Sequence, residues 1–139
     1  MPDFQWKREY RLGIESIDAQ HRTIMEKFNA LYEGITKGED PRTISRLMSD
    51  LIEYAQLHFH DEEELFALNG YPKAEEQRAA HGKFRAKAEA IHEAYVNDPT
   101  TSPLEVVEFL EDWIENHLLT LDMDYKEFMV RLEALKKIR

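Results

Sequence analysis

What most constrains this chain is a helical period repeated four times and interrupted only by short breaks. Ile17, His21, Ile24, Met25, Phe28, Leu31, Tyr32 and Ile35 recur at spacings of three and four, which place them on one face of a helix. Gly38 ends that stripe, and Asp40-Pro41 provides a capping residue and a first-turn proline for the next. The second stripe is Ile44, Leu47, Met48, Leu51, Ala55, His58, Glu62, Leu65, closed by Asn69-Gly70, with Pro72 opening the third helix. Gln77, Ala80, His81, Phe84, Ala88, Ile91 and Tyr95 form the third stripe, broken at Asn97-Asp98-Pro99. Ser102-Pro103-Leu104-Glu105 then reads as an N-cap serine, a first-position proline and a glutamate three residues after the cap. Val106, Phe109, Leu110, Trp113, His117 and Leu121 make the fourth stripe.

Connections this short force neighbouring helices to run antiparallel, so the expectation is an all-α, up-down-up-down four-helix bundle. Its parts are an N-terminal arm over 1–15 carrying Phe4, Trp6 and Tyr10, helices over about 16–37, 41–68, 72–96 and 103–121, and a C-terminal extension over 122–139 forming a short amphipathic helix. With 139 residues, of which 42% are hydrophobic, the chain suits one domain with one core. No strand pattern, internal repeat or low-complexity stretch competes with this reading.

Composition removes several functional classes. A formal net charge of −10 repels phosphate backbones and anionic lipid, so neither nucleic acid nor a membrane surface is an expected partner. With no cysteine, thiolate metal sites, disulfides and cysteine nucleophiles are excluded. A metal would need nitrogen and oxygen donors, which suit iron, manganese or zinc. No apolar run approaches a membrane span, and Met1-Pro2-Asp3-Phe4-Gln5-Trp6 lacks the features of a signal peptide. The expected setting is cytoplasmic.

Function enters through polar residues on apolar stripes. His21, His58, Glu62, Gln77, His81 and His117 all fall where the period directs side chains inward. A lone histidine there is usually a hydrogen-bonded core residue. Four helices each contributing one, with a carboxylate among them, is hard to explain in that way. Burying Glu62 unpaired would cost several kcal/mol, which a bound cation offsets. His58 and Glu62, like Gln77 and His81, are four apart, about 6 Å along a helix face. His60 turns about 200° away from His58, and His92 lies about 16 Å along the helix from His81, so neither belongs to the set.

Together with their spacing, Asp18-Ala19-Gln20-His21, His58-Phe59-His60-Asp61-Glu62-Glu63, Gly70-Tyr71-Pro72 followed by His81, Trp113-Ile114-Glu115-Asn116-His117 and Asp122-Met123-Asp124-Tyr125 resemble the hemerythrins, over most of the chain from Trp6 to about Tyr125. The resemblance implies a non-haem di-iron centre that binds O2. By that resemblance His21 and His58 serve the iron where oxygen lands, His81 and His117 serve the other, and Glu62 and Asp122 bridge them. Asp122 rests on the resemblance alone, because five residues from His117 is about 140° around an ideal helix. Ile114, one turn before His117, matches an apolar position lining the oxygen pocket.

The chain departs from the family pattern at Gln77, where a histidine is expected four residues before His81. Three outcomes remain open: weak ligation through the amide oxygen, a water in its place, or loss of that iron site. The leading expectation is oxygen binding, storage, delivery or sensing, with two irons per chain and any signalling output passing to a protein partner that no residue identifies. The alternatives are a di-iron enzyme acting on peroxide, O2 or nitric oxide through a position opened by Gln77, and a degenerate bundle with one metal or another metal. A ferritin-like oxidase would want two Glu-x-x-His pairs, and only Glu89-Ala90-Ile91-His92 is present.

Overall fold

The computed structural model describes residues 7–100 and 103–138, with the side chains of residues 9, 118–122 and 136–138 also outside the description. A 3-10 turn at Arg8–Tyr10 leads into α1 (Glu15–Thr36), α2 (Pro41–Asn69), α3 (Ala74–Asn97), α4 (Leu104–Trp113), a π-helical segment (Ile114–Leu121) and α5 (Asp122–Ile138). Consecutive helices pack on one another as an up-down-up-down bundle, with no strand among the described residues.

The punctuation explains most boundaries. Asp40 accepts the Thr43 backbone N–H at 2.8 Å, with Pro41 in the first turn of α2. Gly70 ends that helix at φ 64°, a left-handed conformation that a Cβ would disfavour. The Tyr71 N–H then reaches back to the Phe66 carbonyl at 3.0 Å. Two boundaries differ from expectation. A turn through Pro72 and Lys73 delays α3 to Ala74, and Pro103 stands just before α4 rather than inside it. The expected cap Ser102 lies outside the described residues, as do Phe4 and Trp6 of the arm.

The C-terminal part also differs. No break separates α4, the π segment and α5, so residues 104–138 form one continuous helical run. The expected extension is the second half of the bundle's fourth helix. It earns that position by burial: Tyr125 is 1% exposed and packs with Phe66 of α2 and Tyr71, flanked by Ile14, Leu65, Phe128 and Met129. The larger cluster lies further along the bundle and joins Ile24, Phe28, Met48, Phe59, Phe84 and Leu110 from the four helices. Asp18 ties down the arm by accepting the backbone N–H groups of Leu12 at 2.7 Å and Gly13 at 3.2 Å. Tyr10 rests against the larger cluster.

Candidate metal centre

Between the two apolar clusters α2 carries His58 and Glu62, one turn apart and both buried. Three more of the six histidines reach the same place from α1 (His21), α3 (His81) and the π segment (His117), each at most 2% exposed. The arrangement has two halves. His21 Nε2 and His58 Nε2 lie 3.2 Å apart, and so do His81 Nε2 and His117 Nε2. Glu62 stands between them. Its Oε2 faces His58 Nε2 at 3.2 Å and His21 Nε2 at 3.7 Å, while its Oε1 faces His81 Nε2 at 3.1 Å and His117 Nε2 at 3.4 Å.

Burial alone would push the Glu62 carboxyl towards its neutral form. The imidazoles of His58, His117 and His21 outweigh that and hold it well below the usual carboxylate range. An ionised carboxylate in a dry core surrounded by nitrogens is a donor set for cations. Metal–nitrogen bonds of about 2.0–2.1 Å place neighbouring ligands about 3 Å apart, close to the spacing within each imidazole pair. Two overlapping sets of donors therefore converge, His21/His58/Glu62 and Glu62/His81/His117, with Glu62 common to both.

The imidazoles are oriented from behind. Gln20 Oε1 accepts from His58 Nδ1–H at 2.9 Å, and Gln20 Nε2 donates to Asp61 Oδ2 at 2.6 Å. A carboxylate can only accept, so Asp61 turns the Gln20 amide and leaves its oxygen for His58. Across the site, His81 Nδ1–H donates to Glu63 Oε2 at 2.9 Å, and Arg78 Nε lies 3.3 Å from Glu63 Oε1. Both bonds keep a proton on Nδ1, so Nε2 is the nitrogen each ring can offer to a metal. Gln20, Asp61 and Glu63 are the residues the periodicity misses. Their sequence signal is their place beside His21 and Glu62 in the fragments that carry the resemblance.

Aromatic rings wall the His81/His117 half. Phe59 stacks on His81 (centroids 4.0 Å apart) and Trp113 stacks on His117 (4.9 Å). Ile114 is 1% exposed beside them. His60 is exposed and pairs with Glu64, while His92 joins Ser45 of α2 at 3.0 Å; both stand apart from the centre. Gln77 is buried at 2% exposure on α3, one turn before His81.

Asp122 begins α5, and its side chain is outside the described residues, but the backbone bears on its register. A π turn closes at i+5 rather than i+4, so the segment Ile114–Leu121 absorbs one extra residue. Position 122 then follows position 117 as a fourth neighbour would in an α-helix, about 40° round instead of about 140°. Tyr125 supports this phase. It is buried at 1% exposure, whereas uninterrupted α geometry would turn it about 80° from His117.

No helix among the described residues is long and apolar enough to cross a membrane. The family model for the hemerythrin HHE cation-binding domain matches residues 12–129. A bacteriohemerythrin of Clostridium acetobutylicum is 34% identical over 127 residues, covering 88% of this chain and 98% of that relative. A hemerythrin-like protein of Naegleria gruberi is 25% identical over 123 residues, covering 88% of this chain and 91% of the relative. Among solved structures, a point mutant of hemerythrin superposes with a TM-score of 0.83 at 24% identity, covering 91% of this chain and 97% of the other, a likeness of fold.

Proposed function

Since the chain belongs to the hemerythrin HHE cation-binding family, we propose that it is a non-haem di-iron protein that binds O2 reversibly, with two irons per chain. The observation that carries this reading is the division of the Glu62 carboxylate, one oxygen towards each imidazole pair. His21 and His58 would hold one iron, His81 and His117 the other, with Glu62 and Asp122 shared between them. An iron pair supplies the electrons and the exchangeable coordination position that reversible oxygen binding requires.

The chain's own residues do the rest. Gln20 and Glu63 keep the Nδ1 protons of His58 and His81 turned away, so each Nε2 lone pair stays directed into the site. Glu62 brings a negative charge into the core, which would offset the desolvation of two cations and their repulsion of one another. Ile114, 1% exposed, would keep the ligand's surroundings apolar.

The test is anaerobic reconstitution with ferrous iron, removal of excess, iron analysis, and then spectra under cycles of oxygen and argon. Two irons per chain and an optical change that argon reverses are expected. A protein that holds two irons yet shows no oxygen-dependent change would end the oxygen-binding reading.

A further inference from the structure

The His81/His117 half has two features that oxygen binding beside His21 and His58 does not use. The first is Gln77. Its neutral amide is buried one turn before His81, on the helix face that supplies that histidine, and it is a weaker donor to a cation than an imidazole or an anion. The second is a surface groove of about 280 Å³ between α3 and α4 that ends on His117. Phe84, Phe109 and Trp113 form its walls, and Ala80, three residues on from Gln77, lies along it.

The charges of this groove run against the rest of the chain. Acidic residues outnumber basic ones by 28 to 18 overall, yet among the described residues the charged side chains lining the groove are Lys83 and Lys87. Lys87 Nζ sits 5.2 Å from the Phe109 ring centre, which holds its ammonium over the groove wall. An apolar groove with lysines on its rim and the His117 ring among its lining residues favours a small, weakly hydrated anion.

We infer that the His81/His117 half carries a second exchangeable ligand position, made available by Gln77 and taking a small monovalent anion that enters through the α3–α4 groove. The inference rests on the two-metal reading above. The step would be a ligand exchange, the anion taking the position that the Gln77 amide oxygen or a water would otherwise fill and displacing it into the site. No electron is transferred.

Azide is the probe, added to protein loaded with ferric iron, with stoichiometry read by calorimetry and by the optical band of the bound anion. Metal content is measured first. Fewer than two metals per chain refutes the two-metal reading itself. With two metals bound, the wild-type chain takes two azides and Gln77→His takes one. A single azide per wild-type chain, or two in Gln77→His, overturns the inference and leaves the two-metal reading standing. The double variant Lys83→Glu/Lys87→Glu, altered only at exposed positions, tests the route. It should retain both azides but bind one of them about 10-fold more slowly at low ionic strength, a difference that disappears at high salt. An unchanged rate at low salt excludes the groove as the entrance.

Discussion

The hydrogen bonds behind His58 and His81 make a prediction that separates the two halves of the centre. Gln20→Leu removes the acceptor 2.9 Å from His58 Nδ1 while leaving all five described donors in place. The ring is then free to carry its proton on Nε2, where a metal must displace it. Loss of such an orienting partner lowers metal affinity roughly 10–100-fold, or about 1.4–2.8 kcal/mol. Glu63→Leu does the same to His81, and because the lost bond is to a carboxylate its effect lies towards the upper end of that range. Partial exposure of Glu63, whose side chain is 24% accessible, moderates the difference. The assay is stepwise cobalt or ferrous binding in competition with a chelator, with His21→Ala and His117→Ala assigning each step to one half. Gln20→Leu should weaken the step that His21→Ala abolishes, and Glu63→Leu the other. If both variants weaken the same step, or neither changes either constant, the division into two separately oriented halves is wrong.

Three further outcomes are expected. Phe59 is fully buried between His81 and Trp113, so Phe59→Ala should cost about 3–5 kcal/mol in denaturant unfolding of the metal-free protein; a loss below 1 kcal/mol would contradict the packing described. Deleting Asn116 should return the π segment to α geometry, leaving position 122 and Tyr125 in phase with α4 but turning His117 by about 100°, and so lower metal content. Asn116→Ala at the same exposed position should change stability by no more than about 0.5 kcal/mol. Asp40 accepts from the Thr43 backbone N–H, and that bond holds its carboxyl below the usual aspartate range. Its contribution is therefore present above the unfolded-state pKa and lost as pH falls through the lower folded-state value. Thermal melts of Asp40→Ala and wild type should differ at neutral pH and converge in acid.

Much of this architecture is legible in the linear sequence because its signals are local. Asp40-Pro41 and Asn69-Gly70 mark helix ends through the chemistry of one or two residues, and the inward position of His21, His58, Glu62, His81 and His117 follows from period alone. What escapes the period depends on another helix or on a change of period. Gln20 sits beside His21 with nothing in its spacing to indicate that it reaches His58 and Asp61 on α2. Glu63 looks like one more surface acid until α3 brings His81 against it. Asp122, proposed above as a shared ligand, falls off the stripe because a constant 100° step is assumed through residues that turn by less. The same assumption makes residues 122–139 look like an appendage, when Tyr125 is among the most buried side chains of the molecule.

The pairing of imidazoles also orders the making of the centre in time. His21 and His58 are 37 residues apart and His81 and His117 are 36 apart, so each pair belongs to one helical hairpin of nearly equal span. The shared carboxylate belongs to the first. Synthesis proceeds from the N-terminus, and a chain that has emerged only as far as Phe66 already contains His21, His58 and Glu62. The second hairpin has to arrive with two imidazoles and meet Oε1 of a carboxylate whose Oε2 faces His21 and His58. One half of the centre can thus serve as the template on which the other is completed.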